Sequence, residues 1–302
     1  MSMPIVLPWP LQSSLEAATQ ALFDHPDQHS VDFLQPAGEA ALVSPDSVSW
    51  RVFKNPLSLF IGGVTAVIME LAEPHVRAGV WEHTTFRVDP IRRLRRTGLA
   101  AMITVYGARS TAETMIARIR RMHDSIAGTT SAGKAYRAND PKLLNWVQAT
   151  AAFGFLRAYH SYVRPLSKWE RDHYYAEAIP TAALYGATGA PTSEETLGAL
   201  FEAMASLLER SDVVFEFLAI MRSAPILPLP LRPVQHLLVG AAIDLTPRWL
   251  QTILRLNGCG LHAWEVAVVR RAGEFADRLV LETNPAVQAC RRMRLPVDYL
   301  YM

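Results

Sequence analysis

The chain has 302 residues, and its 30 Lys+Arg and 28 Asp+Glu leave a formal net charge of only +2. This near balance excludes the strongly basic surface typical of nucleic-acid-binding proteins, so we predict no nucleic-acid partner. Half of the residues are hydrophobic and 19% are charged, a composition that favours a large folded core over a disordered chain.

The N-terminal part, residues 1–50, is predicted to form an arm with one short helix over residues 15–23. It lacks the basic start and continuous apolar stretch of a secretory signal, and the two cysteines of the chain are too few for a disulfide framework. We therefore expect a soluble cytoplasmic protein. The apolar run over residues 56–69 is shorter than the roughly 20 residues that span a bilayer, so it predicts a buried core helix and no membrane span.

Helical signals dominate from residue 56 onward, because N-capping residues recur ahead of apolar periodic segments. The predicted starts are Asp89-Pro90, Ser110 with Glu113, Asp140-Pro141, Ser167 with Glu170, Thr192 with Glu195, Ser211-Asp212 and Thr246-Pro247. The first four helices are expected to end near residues 106, 127, 163 and 186, and the last long helix to cover residues 261–281. No segment shows the period-two alternation of a strand. The sequence therefore predicts an all-α fold, a single large helical domain.

Four prolines within residues 224–233 block helix formation and mark the best internal boundary. We predict an N-terminal arm over residues 1–50 and a helical core over residues 51–223. Residues 224–302 are expected to form a proline-rich connector and a C-terminal helical subdomain packed on that core.

Two motifs carry weaker signals. The stretch from Gly128 to Ala135 nearly matches the phosphate-binding pattern of nucleotide hydrolases, but Ala135 stands where a hydroxyl is needed and the loop follows a helix. It predicts a flexible connector between helices. Glu170 and His173 have the spacing found in di-iron bundles, but no second copy exists, so an ordinary surface pair is favoured.

His123 is the most informative position. On the helix predicted over residues 111–127, it falls within an apolar stripe, with Arg120 on an adjacent face. The stripe consists of Met115, Ile116, Ile119, Met122 and Ile126. A neutral imidazole in an apolar wall can ligate haem iron, and a nearby guanidinium can pair with a propionate. Taken alone, this feature favours the alternative of a core histidine that is hydrogen-bonded to a carbonyl.

The helix that begins after Asp89 adds a second clue. Arg93 and Thr97 share one face, which continues with small residues and could lie against a flat ligand and offer a donor to bound oxygen. This face continues through Ala100, Ala101 and Thr104, and the opposite side is apolar at Ile91, Leu94, Met102 and Val105. The alternative is close helix packing with solvated arginines.

The order and spacing of several short segments resemble the MpaB/latex-clearing protein (rubber oxygenase) catalytic-domain family of haem-dependent oxygenases. The resemblance is close over about residues 50–190 and looser to about residue 260. The segments that carry it are Glu73–Val80, Trp81-Glu82-His83-Thr84, Asp89-Pro90 with Arg93 and Thr97, Tyr106-Gly107, Arg120–His123, Gly128, Tyr136–Pro141, Leu144-x-Trp146-Val147 and Tyr185-Gly186.

The resemblance implies an all-helical, globin-like core that binds haem b and uses O₂ to cleave carbon–carbon double bonds of isoprenoid chains. It implies that His123 ligates the iron, with Arg120 three residues before it. Arg93 and Thr97 take the place of the family's distal arginine and threonine. Arg96 stands where latex-clearing members have a lysine, and it stays protonated, so we assign it to cofactor binding rather than to iron.

Glu73 and His83 are weaker candidates for assisting proton movement. Many members have His-Pro where this chain has Glu73-Pro74, and latex-clearing members have basic residues where it has Ala127-Gly128.

These observations together favour a haem b-dependent oxygenase. We expect O₂ and a small hydrophobic, isoprenoid-like compound as its partners, and an unidentified electron donor stays open. The sequence assigns no oligomeric state. Two alternatives also stay open: a haem-binding or sensing protein without turnover, and a helical interaction protein on the same fold.

Overall fold

The computed structural model describes residues 31–82, 86–226 and 232–301, together with the single positions Pro4, Ile5, Gln12 and Glu16. The helix predicted over residues 15–23 lies outside the described residues, except for Glu16. The described chain is predominantly helical, so the predicted all-α class is confirmed.

Helices follow one another along the chain with one small hairpin among them. They are α1 (Val48–Phe53), α2 (Pro56–Glu70), α3 (Pro74–Glu82), α4 (Pro90–Tyr106), α5 (Arg109–Asp124), α6 (Pro141–Tyr162), α7 (Lys168–Glu177), α8 (Ile179–Tyr185), α9 (Glu194–Ala205), α10 (Asp212–Ser223), α11 (Arg232–Leu245), α12 (Arg248–Leu254), α13 (Ala263–Ala276) and α14 (Pro285–Arg292). Strands β1 (Ala127–Thr129) and β2 (Ala135–Arg137) pair antiparallel between α5 and α6.

Local capping chemistry sets several of these helix starts. The side chain of Asp89 accepts a hydrogen bond from the backbone N–H of Arg92, and α4 then runs to Tyr106 as predicted. Asp140 caps α6 in the same way. At α7, Ser167 and Glu170 form the predicted reciprocal capping box. An N-cap side chain satisfies a backbone donor that otherwise has no partner in the helix.

Other boundaries differ from the prediction. Ser110 does not cap α5; its backbone N–H and hydroxyl donate to the carboxylate of Glu39, at 2.6 and 3.0 Å. Helix α5 ends at Asp124, three residues early, and the connector that follows is the β1–β2 hairpin. A sheet was not expected here, since three-residue strands are too short to show alternation.

The later helices also divide differently. The helix predicted from Ser167 to Gly186 is two helices, α7 and α8, because Pro180 lies in the first turn of α8 and a proline removes an interior helix hydrogen bond. Ser193 rather than Thr192 caps α9. The last long helix, α13, covers residues 263–276, and α14 begins after Asn284, whose side chain caps it.

The centre of the fold is the crossing of α2 and α6, the most extensive helix contact in the described chain. A Cβ at Gly62 would lie 2.8 Å from the carbonyl oxygen of Gly154, and one at Gly154 would lie 2.3 Å from that of Gly62. Only glycine allows the two backbones to approach this closely. No residue of α2 is exposed, in agreement with the core helix predicted from the apolar run at residues 56–69, and its last residue, Glu70, is half-buried.

C-terminal helices join the same core. Helix α11 packs against α2 and α6, and its Val239, Ala241 and Ile243 have no exposed surface. The division into an arm, a core and a C-terminal subdomain stays a prediction. Among the described residues, no single helix has the length and apolar character to cross a bilayer; α2 and α3 meet that criterion only as a pair, bent by 115°.

Candidate functional site

The predicted polar face of α4 exists in the structure. The guanidinium of Arg93 donates to the hydroxyl oxygen of Thr97 at 3.0 Å, and that hydroxyl donates to the Arg93 carbonyl at 2.9 Å. Arg93 is half-buried and Thr97 is exposed. Burial and the charge of Arg96 lower the pKa of Arg93. No carboxylate of the described chain forms an ion pair with Arg93 or Arg96, which leaves two cations side by side without a direct counter-charge.

The same face of α4 continues to a pair of hydroxyl groups. Thr104 lies 2.8 Å from the phenol oxygen of Tyr185, at the end of α8, and donates to the carbonyl of Ala100. Burial raises the pKa of Tyr185, so its phenol stays protonated and can donate. Helix α5 packs between these elements, against both α4 and α8.

Glu70 brings a carboxylate to this region from the end of α2. Burial raises its pKa to about 7, and the charge of Arg93 opposes that increase. Within the described chain, the Glu70 carboxylate has no hydrogen-bond or ion-pair partner. A carboxyl group that titrates near neutral pH in the field of a single arginine is typical of functional sites.

His123 lies in the last turn of α5, and its setting differs from the prediction. The apolar stripe around it is only partly covered: Ile116 is buried, but Met122 is 41% exposed and His123 itself is half-buried. Burial and the charge of Arg93 lower the pKa of His123, and Asp124 and Asn139 oppose them. The imidazole is therefore neutral at neutral pH, the form that can bind a metal, and it lies close enough to Arg93 to interact electrostatically.

Asn139 closes the end of α5. Its amide nitrogen donates to the carbonyl of Arg120 at 3.1 Å and to the carboxylate of Asp124. Its amide oxygen is buried and has no hydrogen-bond partner among the described residues. Such an orphaned acceptor is uncommon in folded proteins and calls for an explanation.

The remaining predicted site residues lie as follows. The guanidinium of Arg120 points to the end of α8, where it donates to the Leu184 carbonyl at 3.5 Å. Glu73 is 2% exposed, and both of its carboxylate oxygens are occupied, by the His75 ring and the Val76 backbone N–H, each at 2.7 Å. This arrangement gives Glu73 a structural part at the start of α3. His83 lies outside the described residues.

The Glu170/His173 pair and the stretch from Gly128 to Ala135 have structural roles. Glu170 caps its own helix and pairs with Arg51 at 2.9 Å. His173 is exposed, stacks on Trp169 with ring centroids 4.8 Å apart, and lies 3.3 Å from Glu177. The stretch from Gly128 to Ala135 forms the hairpin and not a phosphate loop.

The residues of this site fit a haem: an imidazole such as that of His123 would hold the iron, and arginine side chains would pair with the propionates. His123 supplies a neutral imidazole, and Arg93 and Arg96 supply positive charge that forms no ion pair with a carboxylate of the described residues. The described residues contain no group of three or more His, Cys, Asp or Glu able to hold a bare metal ion, whereas a haem needs only the one histidine.

Sequence reasoning assigned no role to three residues that the structure brings to this region: Glu70, Asn139 and Tyr185. Each carries a usable signal. Glu70 is a charged residue that ends an otherwise apolar core helix, and Asn139 and Tyr185 both lie in segments that carry the family resemblance. Their proximity to Arg93, His123 and Thr104 comes from packing between helices and could not be derived from spacing.

A family model described as "ER-bound oxygenase mpaB/B'/Rubber oxygenase, catalytic domain" matches residues 50–278, well over half of the 302 residues. No curated protein and no solved structure gives a significant match to the chain.

Proposed function

The chain belongs to the mpaB/rubber oxygenase catalytic-domain family, and we propose that it is a haem b-dependent oxygenase. Its partners would be O₂ and a small hydrophobic, isoprenoid-like compound with a carbon–carbon double bond. Membership in a family of oxygenase catalytic domains supports an oxidoreductase, and the pairing of His123 with the Arg93–Thr97 face supports haem as its cofactor.

The single observation that carries the cofactor assignment is the state of His123. Burial and the Arg93 charge keep its imidazole neutral, and the chain brings it next to the polar face of α4. His123 would hold the iron through the lone pair of a ring nitrogen, which protonation would remove. Met115 and Ile119, half-buried on the same side of α5, provide apolar surface suited to the macrocycle and to a hydrophobic substrate.

Haem supplies the binding and activation of O₂, and the protein supplies orientation and electrostatics. Arg93 is held by Thr97, so its remaining N–H groups have a fixed direction. These donors can stabilise negative charge that develops on oxygen during the reaction. The Thr97 hydroxyl, which donates to the Arg93 carbonyl in the structure, can join them if it rotates away from that carbonyl. Arg96 adds positive charge for an anionic cofactor edge.

Glu70 can take part in proton transfer. Because its pKa is about 7, it exchanges a proton readily at neutral pH, which is the condition for an effective general acid or base. Its electrostatic interaction with Arg93 makes it a better candidate than Glu73, whose oxygens are occupied.

Cleavage of a double bond by O₂ requires no further reductant, since each carbon gains one oxygen atom and becomes a carbonyl. The products would be an aldehyde or a ketone at each new end. Insertion of a single oxygen atom would instead need two electrons from a donor, so the stoichiometry of O₂ and reductant distinguishes the two reactions.

Haem binding is tested with protein expressed under adequate iron supply. We expect a Soret band and about one iron per chain in the native protein. His123→Ala should lose the band or shift it, and the matched control His173→Ala should keep it, because His173 is exposed on α7. Colourless native protein, or an unchanged spectrum for His123→Ala, would contradict the assignment.

Turnover is tested by O₂ consumption with short isoprenoid alkenes and by detection of carbonyl products. Consumption that depends on the alkene supports the oxygenase. Bound haem without consumption would favour the sensing alternative, and protein without haem would favour an interaction protein.

A further inference from the structure

The amide oxygen of Asn139 is buried without a hydrogen-bond partner among the described residues, and Asn139 lies close to His123. Asn139 follows the β1–β2 hairpin and folds back onto the last turn of α5. Its two partners there, Arg120 and Asp124, lie on either side of His123 in the chain.

The orientation of the Asn139 carboxamide follows from its partners. Its amide group faces two acceptors, the Arg120 carbonyl and the Asp124 carboxylate. If the amide were rotated by half a turn, its oxygen would face both acceptors and two hydrogen bonds would become repulsions. The nitrogen must therefore point to α5, which fixes the direction of the oxygen as well.

A buried oxygen in this position needs a donor. None of the described residues donates a hydrogen bond to this oxygen in the structure. Asn139 nevertheless lies close enough to His123 to raise the pKa of its imidazole. A neutral imidazole has one N–H donor and one lone pair. One ring nitrogen can therefore donate to the amide oxygen while the other keeps its lone pair.

We propose that Asn139 is a positioning residue for His123: its amide oxygen accepts the ring N–H and leaves the other nitrogen with its lone pair directed to a metal. This inference rests on the proposed function for the identity of the metal, but not for the tautomer. Outer hydrogen bonds of this kind fix the ring and increase the basicity of the ligating nitrogen.

The first test needs no cofactor. In protein with ¹⁵N-labelled histidine at pH 8, where His123 is neutral, the ring nitrogen shifts report which nitrogen carries the proton. The His123→Gln variant identifies the signals of His123. We expect one tautomer in the native protein and a mixture in Asn139→Ala. Identical tautomer populations in the two proteins would overturn the inference.

The matched control is Asp124→Ala, which removes one anchor of Asn139 but keeps the amide oxygen and the bond to Arg120. It should keep the single tautomer. If Asp124→Ala gave the same mixture as Asn139→Ala, Asn139 would only hold the hairpin to α5, and the inference would fail. Circular dichroism confirms that each variant is folded.

The second test uses haem. Asn139→Ala should weaken haem binding by about 10- to 100-fold and make the reduction potential more positive, because a less basic ligand stabilises ferric iron less. Asp124→Ala should change neither to this extent. If the native protein bound no haem but showed one tautomer, the proposed function would fail while Asn139 would keep its positioning part. If haem bound equally in all variants, only the Asn139 inference would fail.

Discussion

Two groups of polar side chains, one buried around Lys54 and one half-buried around Arg93, show opposite patterns of hydrogen bonding. Around Lys54, which is 6% exposed, every charge has a partner: the ammonium donates to the Asp277 carbonyl at 2.7 Å and lies 3.1 Å from its carboxylate. Asn55 and Tyr159 donate to the same carboxylate, both at 3.3 Å, and the Tyr301 ring lies 4.3 Å from the ammonium.

The group around Arg93 is incomplete by comparison. Glu70 and Arg93 interact only through space, the amide oxygen of Asn139 has no partner in the described chain, and His123 is half-buried. Buried charges without partners destabilise a fold. The first group therefore holds elements together, whereas the second keeps its hydrogen-bonding capacity for a ligand, at a cost in stability.

The largest expected effect on stability comes from a substitution in the Lys54 group, whose charges all have partners. Asp277→Ala leaves the Lys54 ammonium buried without a counter-charge and should lower the free energy of unfolding by about 3–5 kcal/mol. Burial already lowers the pKa of Lys54 and Asp277 opposes it, so the variant lowers that pKa further. Because the folded variant then binds fewer protons than the unfolded chain, its stability should rise with pH. Denaturant unfolding at pH 7 and pH 9 measures both effects.

The matched control for this variant is Asp212→Ala, since the Asp212 side chain is 90% exposed and pairs with Arg210. Asp212→Ala should lower the free energy of unfolding by no more than about 0.5 kcal/mol. A loss below about 1 kcal/mol for Asp277→Ala would show that the Lys54 group is not a stabilising contact.

Glu70→Gln should have a smaller effect of the opposite sign. The folded protein keeps the Glu70 proton up to a pKa of about 7, above the ordinary 4.5. The native protein therefore loses stability as the pH rises between these values. The shift corresponds to at most about 3 kcal/mol, reduced to about 2 kcal/mol by partial solvent access. We expect the variant to match the native protein at pH 4 and to exceed its stability by about 2 kcal/mol at pH 8.

Unfolding curves at the two pH values test this prediction, with Glu113→Gln as the control because the Glu113 side chain is 48% exposed. A Glu70→Gln variant less stable than the native protein at pH 8 would indicate that Glu70 has a partner like that of Lys54. The Lys54 and Arg93 groups would then both consist of charges with partners, and the contrast between them would not hold.

The sequence predicts a helix boundary better when the contacts that fix it join residues close in the chain than when they join distant ones. The start of helix α4 is fixed by residues of its own segment: Asp89 caps it and Pro90 occupies the first position. The start of α5 depends on Glu39, 71 residues from Ser110, and no local pattern contains that contact. The start of α4 is fixed by neighbouring residues and was predicted, whereas the contact of Ser110 with Glu39 is distant and was not. The break between α7 and α8 was missed although its signal, Pro180, is local.

The same distinction applies to the candidate site. Residues on one helix face, such as Arg93 and Thr97, are related by helical periodicity, so their hydrogen bond could be expected. Periodicity also placed His123 on an apolar face, but it could not show that neighbouring helices leave Met122 exposed. The raised pKa of Glu70 depends on the burial of α2 and the position of α4, which emerge only when the helices pack.

Thr97→Val should have the smallest effect on stability and separates folding from function. Thr97 is exposed, so the loss of its hydrogen bond with Arg93 should change the free energy of unfolding by less than about 0.5 kcal/mol. If Arg93 and Thr97 act on oxygen as proposed, turnover of the haem-loaded protein should still fall by up to about tenfold, since one donor is lost and the Arg93 side chain is released. Thr97→Ser keeps the hydroxyl and should retain most of the activity. Equal turnover in Thr97→Val and the native protein would leave the polar face of α4 without a catalytic part, and the contrast with the Lys54 group would then rest on Glu70 and His123 alone.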